Sequence, residues 1–61
     1  MSLKEKREEA GVSVQQIADY LGISRQQYYN YENDPGRIRV DVADRICKFL
    51  QCNINDIFLP L

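Results

Sequence analysis

Four residues near the middle of the chain carry long or planar hydrogen-bonding side chains at helical spacing: Arg25, Gln26, Tyr29 and Asn30. At about 100° per residue, these four and Asn33 fall within an arc of roughly 140° on one helix. Arginine can make two hydrogen bonds to guanine, glutamine and asparagine can each make two to adenine, and an aromatic ring can contact the thymine methyl group. We therefore predict that Arg25, Gln26, Tyr29 and Asn30 contact base edges in the major groove of DNA.

A second set of polar residues is suited to contacting phosphate groups. The amides at the start of a helix attract anions, and side-chain hydroxyl, amide and guanidinium groups reach the DNA backbone. The residues predicted to make such contacts are Ser13, Gln15, Ser24, Gln27, Asn33, Arg37 and Arg39. A polar helix face is most often simply solvated, so the elements that hold these residues must decide whether the prediction stands.

Those elements are helices, because apolar residues recur with a period near 3.6 and no segment alternates as a strand does. We predict helices over residues 2–10, 14–21, 25–33 and 40–50, followed by a short fifth helix capped by Asn53. The pairs Ser2 with Glu5 and Ser13 with Gln16 have capping-box spacing. Gly22 lies two residues before Ser24, which caps the third helix. A helix, a tight glycine turn and a second helix constitute a helix-turn-helix unit.

The inward faces follow from the same periodicity. The residues expected in the core are Leu3, Arg7, Ala10, Val14, Ile17, Ala18, Leu21, Tyr28, Tyr31, Val40, Ala43, Ile46, Cys47, Leu50, Ile54, Ile57 and Phe58. Asp34, Pro35 and Gly36 should end the third helix in a turn with proline and glycine at its centre. Arg39 is a poor N-cap for the fourth helix, although Asp41 suits its first turn.

Composition restricts the class of protein. The 61 residues are 44% apolar and 28% charged, which is typical of one small globular domain spanning residues 1–61. No apolar run approaches the length of a membrane span, and no signal peptide is visible. There is no histidine, and Cys47 and Cys52 lack the spacing of a redox or zinc motif, so we expect reduced thiols, no metal, no cofactor and no enzyme activity.

From Leu3 to Phe58 the sequence resembles the Xre/Cro-type (lambda-repressor-like) helix-turn-helix family. The resemblance rests on an ordered set of positions: Arg7 and Gly11 with Ser13, then Ile17-Ala18, Leu21-Gly22-Ile23-Ser24-Arg25 and Tyr31-Glu32, and later Cys47-Lys48-Phe49-Leu50 and Ile54-Asn55-Asp56-Ile57. It implies an all-α fold of five helices, with the helix-turn-helix at the second and third, and binding to operator DNA.

The resemblance also implies roles for single positions. Arg25, Gln26 and Asn30 match positions at which the family reads bases, and the start of the second helix matches its phosphate site. Arg7 and Glu32 match a pair that forms a structural salt bridge, which would hide the Glu32 charge from DNA. The chain departs from the family pattern at Val14, where glutamine is frequent, at Tyr28, where a small aliphatic residue is frequent, and at Cys47, where alanine is common.

The sequence therefore predicts a transcriptional regulator, such as a phage or prophage repressor or a Cro-like protein, in the bacterial cytoplasm and associated with the nucleoid. It would bind a two-fold symmetric operator as a homodimer, with the apolar tail 58–61 or the fifth helix as a weak dimer contact or with the tail folded onto the core. Because the chain has a net charge of −1, a protein-interaction module such as an antitoxin is an alternative function. A small thiol redox enzyme is the third and weakest alternative.

Overall fold

The computed structural model describes residues 2–57. Within that range lie five α-helices and one 3-10 turn, and no residue is in a strand. The helices are α1 (Leu3–Glu9), α2 (Val14–Leu21), α3 (Arg25–Asn33), α4 (Val40–Leu50) and α5 (Ile54–Ile57), and the 3-10 turn is Pro35–Arg37. The predicted all-α architecture is confirmed. The first helix is one residue shorter at each end than predicted, because Ser2 and Ala10 serve as its caps.

Each of the first three helices begins with the same device. Ser2, Ser13 and Ser24 accept a hydrogen bond from the amide three residues on, and the side chain at that third position accepts one from the serine amide. These reciprocal bonds satisfy two backbone donors at each helix start. The third box, formed by Ser24 with Gln27, has the same sequence spacing as the two that were predicted.

Three helices end in a left-handed residue, which turns the chain sharply. Gly11 and Gly22 each have φ of 72°, and Gln51 has φ of 56°. After Gly22, the amide of Ile23 donates to the Ala18 carbonyl at 3.0 Å. This is the six-to-one hydrogen bond of a Schellman motif. Because Ile23 also packs against the core, this turn fixes the direction in which α3 leaves α2.

The core lies where α1, α2, α3 and α4 meet. Its buried side chains are Leu3, Val14, Ile17, Ala18, Leu21, Tyr28, Ile46, Cys47, Leu50 and Ile57, and Ala43 is also buried. Tyr31 is half-buried and packs against this cluster. Beside the core, the exposed ring of Tyr20 stacks on Phe49 with 4.5 Å between centroids, which ties α2 to α4 at the surface.

Three residues expected in the core are exposed: Ala10, Val40 and Ile54. Ala10 caps α1, and Val12, beyond the Gly11 turn, packs on the core instead. Val40 and Ile54 are the first residues of α4 and α5 and line an open groove between these helices. Helical periodicity predicts the face of a helix but not whether another element covers its end. Phe58, also expected in the core, lies outside the described residues, as does the rest of the tail 58–61.

The chain reverses after α3 through the predicted proline–glycine turn. The Arg37 amide donates to the Asp34 carbonyl at 3.0 Å, and the Ile38 amide donates to the Pro35 carbonyl at 3.1 Å. The two overlapping bonds make a single 3-10 turn rather than an isolated β-turn. Arg39 then precedes α4 without a side-chain cap, as the sequence indicates. None of the helices in the described range has the length and apolar character needed to cross a membrane.

The glycine at the turn between α2 and α3 can be tested by substitution. Gly22→Ala meets no atom within 4 Å, so its cost is that of a left-handed alanine, which is about 1 kcal/mol of unfolding free energy. Gly36→Ala is the matched control, because Gly36 does not have positive φ and its nearest atom is 3.6 Å away. Urea denaturation should show a lower midpoint for the first variant only, and equal midpoints would contradict this role of Gly22.

Candidate nucleic-acid interface

Helix α3 is a polar helix with a narrow inward face. Tyr28 is its single buried residue and is 0% exposed. The hydroxyl of Tyr28 is buried without a hydrogen-bond partner, and burial, followed by the neighbouring Glu32 carboxylate, raises its pKa. The side chain is therefore a neutral core residue at physiological pH rather than a ligand. A bulky ring anchors the middle of α3 and leaves the opposite side of the helix in solvent.

An ion pair holds the end of α3. Arg7 Nε donates to Glu32 Oε2 at 2.7 Å, and the two side chains are only 10% and 6% exposed. Arg7 Nη1 also donates to the Val12 carbonyl at 2.9 Å. The Arg7 guanidinium therefore connects three elements: α1, α3, and the turn that precedes α2. Its ion pair with Glu32 is the one that the family resemblance implies. Because Arg7 neutralises Glu32, this carboxylate adds little repulsion to an approaching phosphate.

Every residue predicted to contact DNA is exposed. On the side of α3 turned away from Tyr28 lie Gln26, Asn30 and Asn33, with Arg25 and Tyr29 at its margin. The whole predicted set is therefore accessible to a partner. The exposed fraction alone does not distinguish a binding surface from a solvated one, and the pairing of these side chains carries more information.

The two side-chain amides among the predicted base-contacting residues are joined to one another. Gln26 Nε2 donates to Asn30 Oδ1 at 3.2 Å, across one helical turn. Arg25 and Tyr29, in contrast, make no side-chain hydrogen bond or ion pair among the described residues. Side chains four apart on a helix are neighbours, so this bond follows from spacing that the sequence already contains.

The starts of α2 and α3 retain donors that an anion can use. The serine oxygens of Ser13 and Ser24 accept backbone bonds at 3.1 Å, which leaves each hydroxyl proton free to donate. The amides of the first two helical residues have no intrahelical acceptor in either helix. Gln27 differs from its prediction in one respect, because its Oε1 already accepts from the Ser24 amide at 3.2 Å and only its amide protons remain for a phosphate.

Three of the side chains predicted to contact phosphate already have an acidic partner. The sequence analysis missed these partners. Arg37 pairs with Asp34 at 3.0 Å, and Arg39 pairs with Asp41 at 3.3 Å. Gln15 Nε2 donates to Asp19 at 2.7 Å. Spacing of three or four residues within a helix or turn was the available signal for Asp34 and Asp19. Exposed pairs of this kind contribute at most about 1 kcal/mol, so they can open for a stronger acceptor.

The cysteines form no catalytic arrangement. Cys47 is buried, and burial, followed by the neighbouring Cys52, raises the pKa of its thiol to about 12. A nucleophilic thiol requires the opposite shift, toward a thiolate at neutral pH. Cys47 is therefore a small core residue, and the direction of its pKa shift weighs against the thiol redox alternative.

A groove between α4 and α5 is a second exposed feature. Its apolar part includes Val40, which is 78% exposed, and Ile54, which is 40% exposed. Its rim carries both charge signs, from Arg39 and Lys48 and from Asp41 and Asp44. Two exposed apolar side chains therefore lie among charged ones that are paired with each other, Arg39 with Asp41 and Lys48 with Asp44.

The chain matches the model of the helix-turn-helix family HTH_3 over residues 3–57. It is 41% identical over 44 residues to a "Putative HTH-type transcriptional regulatory protein" of Sulfurisphaera tokodaii, a match that covers 72% of this chain and 15% of that protein. A protein of the same description from Saccharolobus solfataricus has the same identity over the same length, with 14% of it covered. The chain thus spans about one seventh of the length of these curated relatives, both of which are archaeal.

The Arg7 contact yields a stability test. Arg7→Met should lower the unfolding free energy by about 3–5 kcal/mol, because it leaves the Glu32 carboxylate buried without a cation. Arg7→Met combined with Glu32→Met should recover much of that loss. Lys6→Met is the control, because its pair with Glu9 is partly exposed and worth at most about 1 kcal/mol. Equal melting temperatures for Arg7→Met and wild type at neutral pH would refute the structural role of the pair.

Proposed function

Since the chain belongs to the lambda-repressor-like helix-turn-helix family, we propose that it binds double-stranded DNA with sequence preference, as the DNA-binding part of a transcriptional regulator. The observation that carries the proposal is the exposed polar side of α3, which the buried Tyr28 and the Arg7–Glu32 pair hold outward. Only Tyr28 and the half-buried Tyr31 of this nine-residue helix contact the core, which leaves its other, polar residues without a packing role. A role in recognition accounts for its composition.

In this proposal α3 enters the major groove with its N-terminal end nearest the bases. Arg25 reads guanine, Gln26 reads adenine, and Tyr29 contacts a thymine methyl group or a phosphate. Asn30 lies one turn farther along the same side. Arg25 makes no ion pair among residues 2–57, so its guanidinium is available without breaking an existing contact.

The phosphate contacts surround this helix. The starts of α2 and α3 supply backbone amides and the hydroxyl protons of Ser13 and Ser24, and Gln15, Gln27 and Asn33 add side-chain amide protons. Arg37 and Arg39 exchange their aspartate partners for phosphate oxygens. Because those aspartates stay close by, the net gain in positive charge at this edge is small, and we expect a moderate affinity for DNA.

We propose that the bound form is a homodimer on a two-fold symmetric operator, with recognition helices about 34 Å apart. The groove between α4 and α5 supports this, because its apolar centre and mixed-charge rim can meet the same groove of a second copy in an isologous contact. The finer interpretation as a phage or prophage repressor or Cro-like protein of the bacterial cytoplasm rests on the sequence resemblance, whereas the relatives reported above are archaeal.

The same groove favours a second candidate function, a protein-interaction module such as an antitoxin. The two functions differ in their response to salt. Affinity for DNA falls steeply with ionic strength because counterions are released from the phosphates, whereas a largely apolar protein interface is much less sensitive. Binding assays across a salt series, on duplexes selected from random DNA, decide between them. Failure to enrich any duplex would favour the protein partner.

The DNA proposal predicts different phenotypes for two arginines. Arg25→Ala should cost about 1–3 kcal/mol of specific affinity and relax preference at one base pair, because it removes a paired contact to guanine. Arg39→Ala should weaken binding to all sequences alike and reduce the salt slope by about one. Fluorescence anisotropy on the selected duplex measures both, with Lys4→Gln as a charge control on α1. Wild-type binding by both folded variants would mean that the assigned face is wrong.

The dimer proposal predicts an effect of charge in the groove. Val40→Glu should weaken self-association about tenfold or more, because it places a carboxylate in the apolar part of the contact. The exposed position and the first turn of α4 should tolerate it without loss of helix stability. Sedimentation velocity over a concentration series checks this, with Lys4→Gln producing the same charge change elsewhere. A strict monomer, with and without DNA, would contradict the dimer.

A further inference from the structure

We propose that Asn30 is a positioning residue, which orients the Gln26 amide for adenine instead of reading a base of its own. This inference rests on the proposed function and refines it. The observation behind it is the bond from Gln26 Nε2 to Asn30 Oδ1, at 3.2 Å on the exposed side of α3.

In this bond the nitrogen of the Gln26 amide faces Asn30, whose Oδ1 oxygen accepts one of its protons. One proton of Nε2 is used in this bond. The second proton and the Oε1 oxygen remain together on the outer edge of the amide, as one donor beside one acceptor. That pattern matches adenine N7, which accepts, and adenine N6, which donates.

The opposite orientation of the amide would reverse this pattern. Guanine presents two acceptors in the major groove, so a donor beside an acceptor matches it only in part. An unrestrained glutamine samples both orientations and many rotamers, and ordering it on DNA costs conformational entropy. The bond to Asn30 removes part of that cost before DNA arrives, and it favours adenine over the other bases at the position that Gln26 reaches.

The same bond limits what Asn30 itself can read. Its oxygen is directed at Gln26, one turn toward the start of α3, so one of the two lone pairs of Oδ1 is already engaged before DNA arrives. Asn30 and Gln26 therefore act as a unit at a single base pair. A direct reader at position 30 would affect a different base pair from Gln26.

The test compares variants of the full chain on four duplexes that differ only at the base pair whose preference Gln26→Ala relaxes. Wild type should prefer adenine there by about five- to 150-fold. Asn30→Leu, which is similar in size and favours helix, should reduce that preference by about two- to tenfold. In the Gln26→Ala background it should have no further effect. Asn30→Asp keeps the accepting oxygen, so it should lower affinity for all four duplexes while retaining the preference.

A measurement without DNA separates this inference from the proposed function. In ¹⁵N relaxation, the Gln26 side-chain amide should be more ordered than that of Gln51, which is exposed and makes no side-chain hydrogen bond within residues 2–57. Asn30→Leu should abolish the difference and Asn30→Asp should retain it. Equal mobility of Gln26 and Gln51 in wild type would overturn the inference whatever the DNA results. So would an Asn30→Leu effect confined to another base pair. Absence of any sequence preference in wild type would overturn the proposed function.

Discussion

The guanidinium of Arg7 is the contact on which the arrangement of the first three helices depends. It reaches Glu32 near the end of α3 and the Val12 carbonyl before α2, so one side chain from α1 sets the positions of both. Such a pair needs several hydrogen bonds to offset the loss of hydration. Here each bond goes to a different element, which makes the pair specific for one packing of the helices. The other attachments of α3 are the buried Tyr28, the half-buried Tyr31 and the turn at Gly22.

This construction explains how so small a domain can present a polar helix. Most of the described core residues come from α2 and α4, and α3 adds the buried ring of Tyr28 and the half-buried ring of Tyr31. Helix α3 therefore needs only a narrow inward stripe, and its outer side can carry hydrogen-bonding groups. In the proposed function, stability and recognition are separated along the chain: Arg7, Tyr28 and Glu32 hold the helix, whereas Arg25, Gln26, Tyr29 and Asn30 are exposed to a partner.

Much of this was predictable from the sequence, because the signals are local. Serines three residues before a glutamate or glutamine, glycines after apolar runs and the spacing of Tyr28 gave the helices and the inward side of α3. The long-range contact of Arg7 with Glu32 came from family resemblance, since no local rule links positions 25 apart. The exposure of Val40 and Ile54 could not be predicted, because it depends on what covers the end of a helix. The pair of Arg39 with Asp41 has no such spacing signal, because it joins residues two apart and depends on rotamers that a sequence does not fix.

The most direct test of the account is to map the DNA contact on the folded protein. A ¹H–¹⁵N titration with a duplex enriched from random DNA should shift the amides at the starts of α2 and α3 and the side-chain amides of Gln26 and Asn30. Signals from Val40 and Ile54 should change only if a second copy of the chain binds at the groove between α4 and α5. Perturbations confined to the groove between α4 and α5, with α3 unaffected, would contradict the claim that the outward side of α3 is the binding surface.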